Sequence, residues 1–143
     1  MLKFHFETEI RKPVNEVISL YSNRELMSRW QPGLLHDEAS IAKDGTSYHK
    51  LTYKTGRRNL VMRETILRQR GPHYDMHYEL KGIRNTVHNT FKPNGPDRTI
   101  WTSDVTFRFK GLMKLIGRFM KSGLEKQSMI IMKNFKAFAE HYD

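Results

Sequence analysis

The last quarter of the chain constrains the fold more than any other part: from Gly111 to Tyr142 an apolar stripe at helical spacing follows a body patterned as strands. Leu112, Leu115, Ile116, Phe119, Met120, Leu124, Ile131, Phe135 and Phe138 recur every three or four residues, which gathers them on one side of a helix of 3.6 residues per turn. Such a face must be covered, and the strands before it supply the cover. A β-rich body closed by one long helix is expected to wrap a cavity. Gly117 and Gly123 each cost the helix about 1 kcal/mol relative to alanine, and Ser122-Gly123-Leu124-Glu125 has the spacing of a capping box. A break near Ser122 is expected on that basis, with a packed half from Leu124 to Phe138 and a half from Leu112 to Met120 free to move over a cavity mouth. The competing expectation is one continuous helix with two tolerated glycines.

Upstream, Leu2, Phe4, Phe6, Thr8 and Ile10 alternate with polar residues at the two-residue period of a half-buried strand. Pro13 suits a first helical turn, with Val14, Val17, Ile18 and Tyr21 as a short apolar face. Ser22 to Glu25 repeats the capping-box spacing and predicts a second short helix that carries Leu26 and Met27 toward Trp30. From Leu34 to Phe109 glycine-bearing separators divide a meander of antiparallel strands: Lys43-Asp44-Gly45, Thr55-Gly56-Arg57, Gly71-Pro72, Lys81-Gly82 and Asn94-Gly95-Pro96-Asp97. Within it Tyr74, Met76, Tyr78 and Leu80 form one inward set, and Trp101, Ser103, Val105, Phe107 and Phe109 another. No repeat or linker interrupts the pattern, so residues 1–143 read as a single domain.

A chain of 143 residues buries enough surface to fold without disulfides, and it contains no cysteine. Thiolate nucleophiles and Cys-ligated zinc are thereby excluded, and a reducing compartment fits. The N-terminus alternates too early for a signal peptide and no segment has the length of a membrane span, which reads as a cytoplasmic chain without stable membrane insertion. The formal net charge of +10 favours anionic partners. Because Arg57-Arg58 and Arg68-Gln69-Arg70 fall at turns and the lysines of the last helix are scattered, the charge reads as a solvated face open to an acidic protein partner. No basic motif with a stacking platform points to nucleic acid. The seven histidines form no helical ligand pair with a carboxylate, so no metal is expected. With no phosphate loop and no nucleophile elbow, no cofactor is expected either.

The order of strand, Pro-started helix pair, Arg29-Trp30-Gln31-Pro32-Gly33, glycine-punctuated strands and long terminal helix resembles the SRPBCC superfamily, the START-like or Bet v 1-like group. Lys12-Pro13-Val14-Asn15-Glu16-Val17, Met62-Arg63-Glu64-Thr65-Ile66 and the end from Met132 to Glu140 carry the likeness, which spans the whole chain. These are landmarks of packing rather than of catalysis. The resemblance implies an α+β helix-grip fold: a seven-stranded antiparallel sheet with two short N-terminal helices and a long C-terminal helix over an apolar cavity. Members bind lipids, sterols, polyketides or hormones, act as cyclases, or assist a chaperone, so fold alone leaves function open.

A hydrophobic or amphipathic small molecule is therefore the expected ligand, with Tyr53, Met62, Glu64, Tyr74, Met76, Tyr78, Asn89, Trp101, Leu112, Ile116, Phe119 and Met120 as candidate contacts. Glu64 is the sharpest candidate for chemistry. If the turn preceding the strand that carries Glu64 centres on Gly56-Arg57, antiparallel pairing sets His49 opposite Glu64, and if the next turn has three residues, Tyr78 falls on its other side. A carboxylate, an imidazole and a phenol in an apolar pocket suit acid-base work of the polyketide cyclase or dehydratase type. The competing expectation for Glu64 is an ion pair to a nearby arginine or lysine, or an outward side chain. Asn85 reads as a ligand contact or a turn residue, and Trp30 as a cavity entrance or a staple.

Overall fold

Alternation in the first residues produces strand β1 (Leu2–Ile10), and Pro13 stands at the N-cap of helix α1 (Val14–Ser22), its carbonyl accepting from the Val17 amide at 3.0 Å. The computed structural model describes residues 1–143. A 3₁₀ turn follows at Arg24–Arg29. Its cap is Asn23, whose Oδ1 accepts from the Glu25 amide at 3.1 Å, whereas Ser22 closes α1 by donating to the Ile18 carbonyl at 2.8 Å. The Ser22–Glu25 spacing is thus not a capping box, because Ser22 is still helical and its hydroxyl bonds backward.

Six further strands form the meander: β2 (Leu34–Ile41), β3 (Ser47–Thr55), β4 (Arg58–Arg70), β5 (His73–Leu80), β6 (Ile83–Pro93) and β7 (Thr99–Phe109). The sheet is antiparallel throughout in the order β1-β7-β6-β5-β4-β3-β2. Only the β1–β2 connection is long, and α1 and the 3₁₀ turn occupy it. Helix α2 (Met113–His141) completes the α+β helix-grip fold that the resemblance implies. No helix is long and apolar enough to cross a membrane.

Two bulges decide which side chains meet. The β2 register shifts between Leu34 and His36, which sets Asp37 opposite the fully buried Leu51 on the concave side. The β4 register shifts between Ile66 and Arg68, leaving Leu67 exposed and pairing Arg68 with Asp75. Between the bulges the hairpins keep the alignment expected from their turns, so His49, Glu64, Tyr78 and Asn85 form one cross-sheet row.

Helix α2 runs without a break, so the expected interruption at Ser122 does not occur. Gly117 is a packing glycine: a Cβ there would lie 2.8 Å from the Phe109 ring, so the helix can approach β7 only where a side chain is missing. Gly123 has open space beside it and is simply carried along by the helix. The stripe of apolar residues also proves to be two faces. Met113, Gly117, Met120 and Leu124 turn toward the sheet, while Leu112, Leu115 and Phe119 are among the most exposed large apolar residues. A rotation of one position, roughly 100°, separates the two sets.

The C-terminal half of α2 carries the packing, with Met132, Phe135 and Ala139 buried. Phe135 meets the rings of Tyr21, Trp30 and Trp101 at centroid distances of 5.1, 5.0 and 5.3 Å, mostly edge to face. Tyr21 stands at the centre of this cluster and also contacts Tyr74 and Phe91 at 5.3 and 5.2 Å. Trp30 is thereby a packed staple, stacked on Tyr21 at 5.2 Å. Polar ties lock the same end: Lys136 Nζ donates to the Glu9 carbonyl, Glu140 accepts from the Arg11 amide, and Lys12 Nζ donates to the Tyr142 carbonyl.

Candidate ligand cavity

Between the concave sheet face and α2 lies a cavity of about 430 Å³. Eighteen of its 26 lining residues are hydrophobic, which suits a mainly apolar occupant. Alternation supplies the strand wall: Phe6 on β1, Leu60 and Met62 on β4, Met76 and Tyr78 on β5, Val87 and Asn89 on β6, and Trp101 to Phe107 on β7. Helix α2 supplies Met120, Leu124, Ser128, Ile131 and Met132. The space continues past the packed aromatic end to Thr55, Leu80 and Ile83, beside the β3–β4 and β5–β6 turns.

Of the candidate contacts, Tyr53, Met62, Met76, Tyr78, Asn89, Trp101 and Met120 line this cavity. Glu64 and Tyr74 instead border a small crevice of about 10 Å³ next to it. Leu112, Ile116 and Phe119 lie outside both spaces and face solvent, because the helix presents the neighbouring face inward. Phe6, Val105 and Phe107 were legible as inward strand positions. Gln31, Gln127 and Ser128 were not, since the sequence carries no signal of which polar helix or loop residue borders a cavity.

The polar groups of the wall fall into two states. Asn89 is engaged at both atoms: its Nδ2 donates to the Tyr21 hydroxyl at 3.1 Å and its Oδ1 accepts from Trp101 Nε1 at 2.9 Å. Tyr53 donates its hydroxyl to Gln31 Oε1 at 2.5 Å. Burial first, and then the Glu64 charge, raises the phenol pKa values of Tyr21, Tyr53 and Tyr78, so all three remain neutral donors. Asn85 differs. Its Oδ1 is buried at the cavity wall without a hydrogen-bond partner, which leaves an acceptor for a donor on an occupant.

Glu64 is 1% exposed and belongs to a buried charge cluster. Arg24, delivered by the 3₁₀ turn, places Nη1 2.7 Å from Glu64 Oε1 and donates from Nε to Asp37 Oδ2 at 2.7 Å. The Glu64 contact is a close approach of opposite charges without a well-aimed N–H, since Oε1 has no hydrogen bond of good geometry. His49 Nδ1 lies 2.8 Å from Asp37 Oδ1. Burial alone would raise the Asp37 pKa, but the bonds from Arg24 and His49 outweigh it and hold the carboxylate below its usual range. The row position of His49, Glu64 and Tyr78 is thus the expected one, yet His49 bonds Asp37, Glu64 pairs with Arg24, and the Tyr78 hydroxyl approaches Met76 Sδ at 3.2 Å. Neither Arg24 nor Asp37 was legible as a partner, because each is remote in sequence from Glu64 and Asp37 reaches the inner face only through the β2 bulge.

No known family profile matches the chain, and no curated protein matches it by sequence. Solved structures do. A START superfamily protein from Mycobacterium smegmatis superposes with a TM-score of 0.80 at 15% identity, covering 99% of both chains. A conserved protein from Geobacillus kaustophilus gives 0.77 at 18% identity over 96% of this chain and 95% of its own. The di-domain ARO/CYC protein StfQ from the steffimycin biosynthetic pathway gives 0.75 at 14% identity, with 96% of this chain covering 50% of that one. At these identities the likeness establishes the fold: the chain has the SRPBCC-type helix-grip architecture.

Proposed function

We propose that this protein binds a hydrophobic or amphipathic small molecule in the cavity between the sheet and α2. The observation that carries this reading is the 430 Å³ apolar space itself, which the Tyr, Met and Phe side chains around it leave unfilled. A packed interior would instead have favoured an interaction module of the chaperone-activator kind. The fold supports it as well, since a START superfamily protein and an ARO/CYC protein share it. Asn85 Oδ1 adds a chemical preference for a ligand with a hydroxyl or amide donor placed against β6. Native mass spectrometry of protein purified from its own host tests the reading. A one-to-one adduct of an apolar molecule is expected, and loss of that adduct in Val87→Trp is required for it to lie in the cavity.

The cyclase reading has weaker support. Glu64 would serve as an acid or base only after separation from Arg24, and it borders the crevice instead of the cavity. Turnover that disappears in Glu64→Gln while ligand binding persists would restore it.

A further inference from the structure

The exposed face at the start of α2 has no counterpart elsewhere in the molecule. Leu112, Leu115, Ile116 and Phe119 are 82%, 73%, 47% and 87% exposed, although a helix of this length has ample polar residues for a solvated side. At roughly 100° per residue these four fall within about a quarter of the helix circumference, so they form one contiguous patch. The patch does not serve the fold. Contact with the body is made by the adjacent face, where Gly117 rests on Phe109 and Met113 meets the β5–β6 turn at Gly82.

Charge identifies the partner. Lys114, Arg118 and Lys121 flank the patch along one side, and Arg108 and Lys110 precede it. None of these five cations forms an ion pair, whereas Arg11, Arg24, Arg68, Arg84, Arg98 and Lys136 elsewhere do. No acidic residue occurs between Asp104 and Glu125. Large apolar side chains on one arc bordered by unpaired cations are the composition of a helix that lies in a membrane interface, apolar face at the acyl boundary and cations at anionic headgroups. A second copy of the chain fits poorly, since it would bring the same unpaired cations against each other.

We infer that residues Leu112–Lys121 dock the protein reversibly on an anionic lipid surface, with Leu115 and Phe119 entering the interface. Met120 and Leu124, one helical position away, line the cavity. Docking therefore sets the cavity wall beside the bilayer, where an apolar ligand can be exchanged without crossing water. The docking stands on the exposed face alone, and only its use in ligand exchange rests on the cavity reading.

Flotation with phosphatidylcholine vesicles, with and without phosphatidylglycerol, tests the inference. Binding is expected to the anionic vesicles only, and to weaken as salt rises. Leu115→Ser with Phe119→Ser should lower the partition coefficient roughly tenfold or more, and Lys114→Glu with Arg118→Glu should abolish the preference for anionic lipid. All four side chains are removed from the packed face, so the melting temperature should stay near that of the parent. Phe119→Trp should shift its emission to the blue when anionic vesicles are added. Absence of vesicle binding overturns the inference, as does binding that both double variants retain. Self-association dissolved by Leu115→Ser with Phe119→Ser, or retention on RNA without vesicle binding, would reassign the face to a second copy or to a polyanion. Uptake of the neutral dye N-phenyl-1-naphthylamine by the double serine variant keeps this outcome separate from failure of the cavity.

Discussion

At the scale of single residues, the stability of the inner sheet face rests on charges that water barely reaches. Glu64 has Arg24 as its cationic contact, so Glu64→Gln leaves a largely buried guanidinium with Asp37 alone. A loss of about 3 kcal/mol is expected, read as a lower denaturation midpoint in urea with an unchanged slope. Glu140 has a different role. Partial burial opposes its charge, yet the Lys136 ammonium and the Arg11 amide more than offset that and lower its pKa from 4.5 to about 2. A carboxylate with a depressed folded pKa stabilises fully above its unfolded value and loses that contribution as pH falls. Stability should therefore drop as pH falls from about 4.5 toward 2, and Glu140→Gln should flatten that limb in acid denaturation. The two cases also separate what sequence can and cannot give. The opposition of His49, Glu64 and Tyr78 followed from turn length and strand period, whereas Arg24, Asp37 and the Arg11 contact to Glu140 depend on a bulge and on chain ends meeting across the fold.

At the scale of elements, α2 is one rod with unequal halves. Its glycines should respond in opposite directions to the same change. Gly123→Ala meets nothing and should raise stability by about 1 kcal/mol, while Gly117→Ala forces the helix off Phe109 and should lower it. Thermal melts of the two variants decide this, and equal shifts would contradict the assignment of Gly117 as a packing contact. Phe135→Ala, at the centre of the aromatic cluster, should cost about 3–5 kcal/mol. Periodicity revealed the helix and its extent, but it could not reveal continuity. A capping-box spacing in mid-helix is a local signal, and the packing of Met132, Phe135 and Ala139 with the approach at Gly117 overrides it. Nor could periodicity distinguish the two apolar faces, since residues one position apart share the same three- and four-residue spacing.

At the scale of the whole molecule, the strand meander, glycine turns and closing helix were legible, because each rests on local chemistry that the fold leaves intact, whereas the pairing of β1 with β7 joins segments remote in sequence and no local pattern announces it. The cavity wall was legible in its strand part and less so in its helical part, where a rotation by one position leaves Leu112, Ile116 and Phe119 outside the cavity, and where Gln127 and Ser128, further along the helix, border it without an apolar signal. What unites these scales is a sheet that curves away from α2 farther than its side chains can fill. The most direct test is a fluorescence titration with N-phenyl-1-naphthylamine, whose neutrality removes attraction to the +10 charge as a cause of binding. The account predicts saturable one-to-one uptake that Val87→Trp and, separately, Leu124→Trp weaken roughly tenfold or more by occupying the space, while both variants keep a cooperative thermal transition. Uptake that is absent, or that persists unchanged in both folded variants, would contradict an internal ligand site.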